Sequence, residues 1–87
     1  MKVLVLGAGT MGAGIAQVVA EAGNSVVLRD IDEKFVSKGI SVIDKNLSKA
    51  VEKGKMAQAD KDGVMSRIKG IVDLKEAGEV DIVIEAI

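Results

Sequence analysis

The sequence predicts an α/β fold, a small parallel sheet of the doubly wound kind with helices packed on it. Three observations point there. An apolar run at residues 2–6 meets a cluster of glycines and then a segment of small and apolar residues. A second, β-branched run at 25–29 leads into a long segment of helical period. A third apolar run, DIVIEAI, occupies residues 81–87. Strands alternating with helical segments imply parallel strands joined by right-handed crossovers.

The elements follow in order. KVLVL at 2–6 is apolar on both faces, as expected of a strand in a sheet covered on both sides. Residues 11–22 form a helix with Met11, Ile15, Val18, Val19 and Ala22 on one face. Its other positions, Ala13, Gly14, Ala16 and Ala20, are small enough to let it lie close to a sheet. Gly23-Asn24 is a helix stop, and SVVLR at 25–29 is the second strand. From 33 to 53 the apolar positions Val36, Ile40, Ile43, Leu47 and Ala50 or Val51 recur every three or four residues, a one-sided amphipathic helix. Asp32 is its expected N-cap and Gly54 its C-terminal stop. A weaker helix is expected over 57–68, a short strand over 70–73, one helical turn over 74–79 and a buried strand over 81–87. The expected spatial order of strands is 3-2-1-4.

Composition narrows the function. The 87 residues suffice for one small domain. A net charge of -1 and a single aromatic residue, Phe35, give no basis for nucleic-acid binding or for an anionic membrane surface. There is no cysteine and no histidine, which excludes thiol nucleophiles, zinc-thiolate sites and the commonest general base near neutral pH. The first residues do not read as a signal peptide and no apolar stretch is long enough to span a bilayer, so a soluble cytoplasmic protein is expected.

The chemistry is concentrated in G-x-G-x-x-G, formed by Gly7, Gly9 and Gly12 between the first strand and the first helix. The first glycine permits the tight turn. The second, lacking a Cβ, lets a pyrophosphate approach the backbone, and the third allows close helix–strand packing. The helix N-terminus then offers unpaired N–H groups and a partial positive charge to a diphosphate. Ala8, Thr10 and Met11 complete the loop. Asp30 ends the second strand, eighteen residues beyond Gly12, where a carboxylate can accept both hydroxyls of an adenosine ribose. The alternatives are a purely structural glycine turn and an Asp30 that only caps the following helix.

No Gly-Lys-Ser/Thr follows the glycines, so a P-loop nucleotidase is a poor reading. A carboxylate at 30 repels a 2′-phosphate, and strand alternation points Arg29 to the other side of the sheet. NAD is therefore expected in preference to NADP, with FAD third. QADKDG at 58–63 lacks the acids a calcium loop needs at its first and twelfth positions, Gln58 and Lys69, and reads as a solvated turn. Lysines 38, 45, 49, 53 and 55 read as a solvated helix face, with a phosphate-facing basic stripe as the alternative.

At GAGTMGAGIAQ and VVLRDI, and again at NLSKAVEKGK, RIKGIVDL and DIVIEAI, the sequence resembles the 3-hydroxyacyl-CoA dehydrogenases, and within them the bacterial 3-hydroxybutyryl-CoA dehydrogenases. The resemblance covers essentially all 87 residues. It implies a partial Rossmann fold, the N-terminal half of an NAD-binding domain spanning 1–87, from an enzyme of fatty acid metabolism that oxidises the 3-hydroxyl of an acyl-CoA. It further implies that Gly7 to Gly12 hold the pyrophosphate and Asp30 the ribose, and that the backbone of Ala86 and Ile87 lies near the middle of the cofactor. Lys53, with Lys49 and Asn46, would contact the CoA nucleotide. The family's catalytic histidine and glutamate, and its substrate-binding serine and asparagine, match no position up to residue 87. The chain is accordingly expected to be a natural or engineered fragment without turnover of its own. Two other readings stay open: a self-associating structural fragment without useful ligand binding, and a nucleotide sensor of another Rossmann lineage. A homodimer or higher homo-oligomer through the 81–87 strand edge is expected.

Overall fold

A computed structural model describes residues 1–87 as a four-stranded, all-parallel sheet with helices packed mainly on one face. In chain order the elements are β1 (Lys2–Leu6), α1 (Thr10–Glu21), β2 (Ser25–Arg29), α2 (Glu33–Glu52), α3 (Gln58–Ser66), β3 (Ile68–Ile71), a 3-10 turn (Leu74–Ala77) and β4 (Ile82–Glu85). The strand order is β3-β2-β1-β4, as expected. In register, Val3 lies beside Val26 and Ile82, and Leu28 beside Gly70.

The larger core lies between α1, α2 and α3 and one sheet face, where Val3, Val5, Val26 and Leu28 meet Ala13, Ala16, Ala20, Ile43, Leu47 and Val64. On the other face Leu4, Val27 and Ile71 are covered by Ala77 of the 3-10 turn, with Leu6 and Val80 beside them. Asp32 caps α2 by accepting from the N–H of Lys34 at 3.0 Å. Gly23 and Gly54 adopt φ of 95° and 72° just past the ends of α1 and α2, the left-handed stop that glycine permits.

Four expectations are corrected. The buried face of α1 is its small one, Gly12, Ala13, Ala16 and Ala20. Met11 and Val18 are 57% and 66% exposed, Ala22 is exposed, and Ile15 and Val19 are only half-buried. A helix laid this close to a sheet has no room for large side chains, so size alone misassigns the face. β3 begins two residues earlier than expected, because α3 stops at Ser66 and Arg67 turns to donate from Nε to the carbonyl of Ala20 at 2.8 Å. The segment 58–63 is not a turn but the start of α3, with Gln58 donating to Asp62 at 3.0 Å. Finally, β4, at the expected sheet edge, is only four residues long, and Ile82 and Val83 are 42% and 53% exposed where a buried strand over 81–87 is expected.

One ion pair ties the helices together. Lys61 of α3 meets Asp44 of α2 at 2.7 Å and donates to Ser48 at 2.8 Å. No helix is long and apolar enough to cross a membrane.

Candidate functional site: a cleft at the carboxyl ends of the strands

β1 runs straight into the glycine loop. Gly7 turns with φ of 108°, a left-handed conformation that a Cβ would strain, and donates its N–H to Arg29 of the neighbouring strand at 2.8 Å. A Cβ on Gly7 would come within 2.7 Å of the Ala86 carbonyl oxygen, so the end of β4 presses directly on this turn. A Cβ on Gly12 would overlap the Gly7 carbonyl oxygen. These two glycines serve the packing of the turn.

Gly9 is different. Its φ of -73° and ψ of -167° are open to any residue, and a Cβ there would meet nothing within 4 Å. It stands at the N-cap of α1, where no side chain caps the helix and no acidic residue occupies the first turn. The first amides of α1 are thus left to an external acceptor, beside empty space that only glycine leaves free.

Across this opening stands Asp30. Its Oδ2 accepts from the N–H of Ala8 at 2.8 Å and its Oδ1 from the N–H of Ile31 at 2.7 Å. The Ala8 bond above all, then the Ile31 bond, holds the carboxyl below the usual carboxylate range. Burial opposes the shift and the nearby Arg29 charge adds slightly to it. The folded chain therefore gains stability from ionised Asp30 above the ordinary carboxylate value of about 4 and loses it as pH falls through the lowered one. Arg29 itself points to the opposite sheet face, as strand alternation requires, and its Nε donates to the Val72 carbonyl at 2.9 Å.

A cleft of about 190 Å³ joins these parts, lined by Ala8, Gly9, Thr10, Ala13 and Asp30 on one side and by Phe35, Lys38, Gly39 and Val42 of α2 on the other. Not every expected residue faces it. Gly7 and Gly12 are turned into the packing, and Met11 lies with Thr10, Ile15 and Val18 along the outer face of α1. Ala86 is buried against Gly7, while Ile87 is 99% exposed. Asn46, Lys49 and Lys53 lie farther along α2 and are exposed, and Asn46 donates to Gln17 of α1 at 3.2 Å. The wall formed by Phe35, Gly39 and Val42 is not apparent in the sequence, where Lys38 reads as part of a solvated face, with a phosphate-facing basic stripe as the alternative. The spacing of positions 35, 38, 39 and 42 marks one helix face, and a glycine inside a long helix was the available signal.

Uncapped amides, a glycine without a neighbour and a low-pKa carboxylate in one cleft suit a ligand that joins a diphosphate to a polyol. Among family models, that of the 3-hydroxyacyl-CoA dehydrogenase NAD binding domain matches residues 2–87.

The chain belongs to the 3-hydroxyacyl-CoA dehydrogenase family.

Its relatives agree. A probable 3-hydroxybutyryl-CoA dehydrogenase of Deinococcus radiodurans is 46% identical over 100% of this chain and 31% of its own length. A glyoxysomal fatty acid beta-oxidation multifunctional protein of Brassica napus is 41% identical over 99% of this chain, and the match covers 12% of that protein. Among solved structures, the (S)-3-hydroxybutyryl-CoA dehydrogenase of Ralstonia eutropha superposes with a TM-score of 0.93 at 42% identity, covering 98% of this chain and 30% of that one. The chain thus spans less than a third of the length of these family members, and corresponds to the NAD-binding N-terminal part of 3-hydroxyacyl-CoA dehydrogenases. Its cofactor is NAD.

Proposed function

We propose that residues 1–87 are the N-terminal half of a dinucleotide-binding domain in an enzyme that oxidises the 3-hydroxyl of an acyl-CoA, such as 3-hydroxybutyryl-CoA. The observation that carries this is the meeting of the uncapped α1 N-terminus with Asp30 in one cleft. The amides at the start of α1 take the pyrophosphate beside Gly9, with Ala8, Thr10 and Met11 completing the loop and Gly7 and Gly12 holding its turn. Asp30 retains acceptor capacity beyond its two backbone bonds and receives the adenosine ribose hydroxyls. Phe35 and Val42 give the adenine an apolar wall. Ala86 and Ile87 stand near the middle of the cofactor. When bound, NAD supplies the hydride acceptor, and the residues of this chain bind and orient it. Lys49 and Lys53, exposed near the end of α2, would meet the phosphates of the CoA nucleotide, with Asn46 beside them. A cytoplasmic location belongs to the same proposal.

Calorimetric titration tests the cofactor assignment. NAD or ADP-ribose is expected to bind in preference to NADP. Asp30→Ala is expected to weaken NAD about tenfold or more, since a hydrogen bond to a charged group is worth about 1.5–3 kcal/mol. Equal or tighter binding of NADP by the unmodified chain would count against it.

The exposed edge of β4 favours a second property of the 87-residue chain, self-association. An apolar edge strand with unpaired backbone groups and neither proline nor lysine in it invites a second copy. Two β4 edges could pair across a two-fold axis into a continuous sheet. Val83→Lys is the apt variant, because Ile84 packs against the larger core while Val83 is exposed. Sedimentation at tens of micromolar is expected to show a dimer or larger species that Val83→Lys weakens; a well-folded monomer before substitution would refute it.

A further inference from the structure

Resting on the dinucleotide reading, we infer that Asp30 is also a positioning residue for the phosphate loop: with Gly39 of α2 it clamps Ala8, and so aims the α1 amides, before any ligand arrives. Ala8 lies between two glycines, the most mobile setting a backbone offers. It is nevertheless only 5% exposed and is held from two sides. From β2, Asp30 Oδ2 accepts its N–H at 2.8 Å. From α2, the backbone at Gly39 comes so close that an added Cβ would stand 2.7 Å from the Ala8 carbonyl oxygen and 3.2 Å from the Ala8 Cβ. The next residue, Gly9, accepts the first bond of α1 from Ala13 at 2.9 Å, so fixing Ala8 fixes the direction in which the free amides point.

The anchor is itself anchored. Asp30 Oδ1 accepts from Ile31 at 2.7 Å, so each carboxylate oxygen is committed to one backbone amide. An ionised carboxylate has acceptor sites left for ribose hydroxyls, and the two roles are compatible. An asparagine has a single acceptor oxygen and could not keep both backbone bonds.

Coulomb's law separates this role from ribose binding. Removing a carboxylate beside a diphosphate should, by charge alone, strengthen binding of the anion. A ligand without ribose hydroxyls has nothing for Asp30 to receive. The probes are therefore ADP and 2′,3′-dideoxyadenosine 5′-diphosphate, titrated calorimetrically into the 87-residue chain and its Asp30→Ala and Asp30→Asn variants. Both variants are expected to lose dideoxynucleotide affinity by about threefold or more, the scale of one net hydrogen bond, and to lose more for ADP. Unchanged or tighter dideoxynucleotide binding overturns the clamp and leaves Asp30 a ribose acceptor only.

A second measurement needs no variant and no ligand. In the unmodified chain, the Ala8 amide proton followed by NMR from neutral to acid pH is expected to shift as Asp30 protonates, with its midpoint below the usual carboxylate range. The charged groups around this carboxylate are Arg29 beside it on β2, Asp32 at the N-cap of α2 and Lys38 of α2 in the same cleft. An Ala8 amide that stays still while Asp30 titrates overturns the clamp. Failure of the unmodified chain to bind ADP or NAD would instead count against the dinucleotide reading, and the Ala8 amide would still decide the clamp.

Discussion

Gly12→Ala is expected to lower the thermal midpoint by about 10–20 °C, the largest stability loss among single substitutions in the loop. The added methyl would overlap the carbonyl oxygen of Gly7, which is backbone and not the end of a mobile side chain. That carbonyl cannot retreat easily. The Gly7 N–H is bonded to the Arg29 carbonyl at 2.8 Å, and the Ala86 carbonyl lies so near Gly7 that a Cβ there would come within 2.7 Å of its oxygen. The strain must therefore lift α1 off the sheet, where Ala13 and Ala16 are packed with 2% and 0% exposure. Overpacking of this kind costs about 1–3 kcal/mol. In a domain of this size each kcal/mol moves the midpoint by about 4–8 °C. Circular dichroism during heating measures it, and a fall of only about 2 °C would show that the turn yields more easily than its contacts indicate.

Gly9→Ala is expected to do the opposite: fold as the unmodified chain does and lose NAD. Alanine adopts the Gly9 backbone angles without strain, and its methyl would meet no protein atom within 4 Å. The same methyl would occupy the space in front of the uncapped α1 amides, where the pyrophosphate is proposed to sit. An affinity loss of about tenfold or more is expected, equivalent to about 1.4 kcal/mol or more, with the thermal midpoint nearly unchanged. Calorimetry with NAD and a parallel melt read both quantities. NAD binding that survives intact would move the pyrophosphate away from Gly9. The pair of variants splits one motif into its two functions, since Gly12 is required by the protein's own packing and Gly9 only by what binds.

Much of this was legible because it is local. The glycine spacing, the strand before it, the helix after it and an acid at the end of the next strand all follow from neighbours in the chain. The Asp32 cap and the stops at Gly23 and Gly54 are legible for the same reason, each depending on the conformation of a few consecutive residues. The small positions of α1 are legible as the ones that lie close to the sheet, but the sequence does not show that Met11 and Val18 are left exposed. Judging a face by side-chain size assumes an ordinary helix–sheet distance, and this helix lies closer.

By itself, then, the sequence determined the order of elements, the parallel sheet, the glycine loop and the acid opposite it, because each depends on spacing along one stretch of chain. Only the tertiary structure decided that Phe35, Gly39 and Val42 of α2 wall the cleft, that Ala8 is gripped between Asp30 and Gly39, and that β4 is short and exposed. Those are crossings of segments that are distant in sequence or independently folded. Their geometry is set by how closely two backbones can approach, and no pattern along either segment alone records that distance.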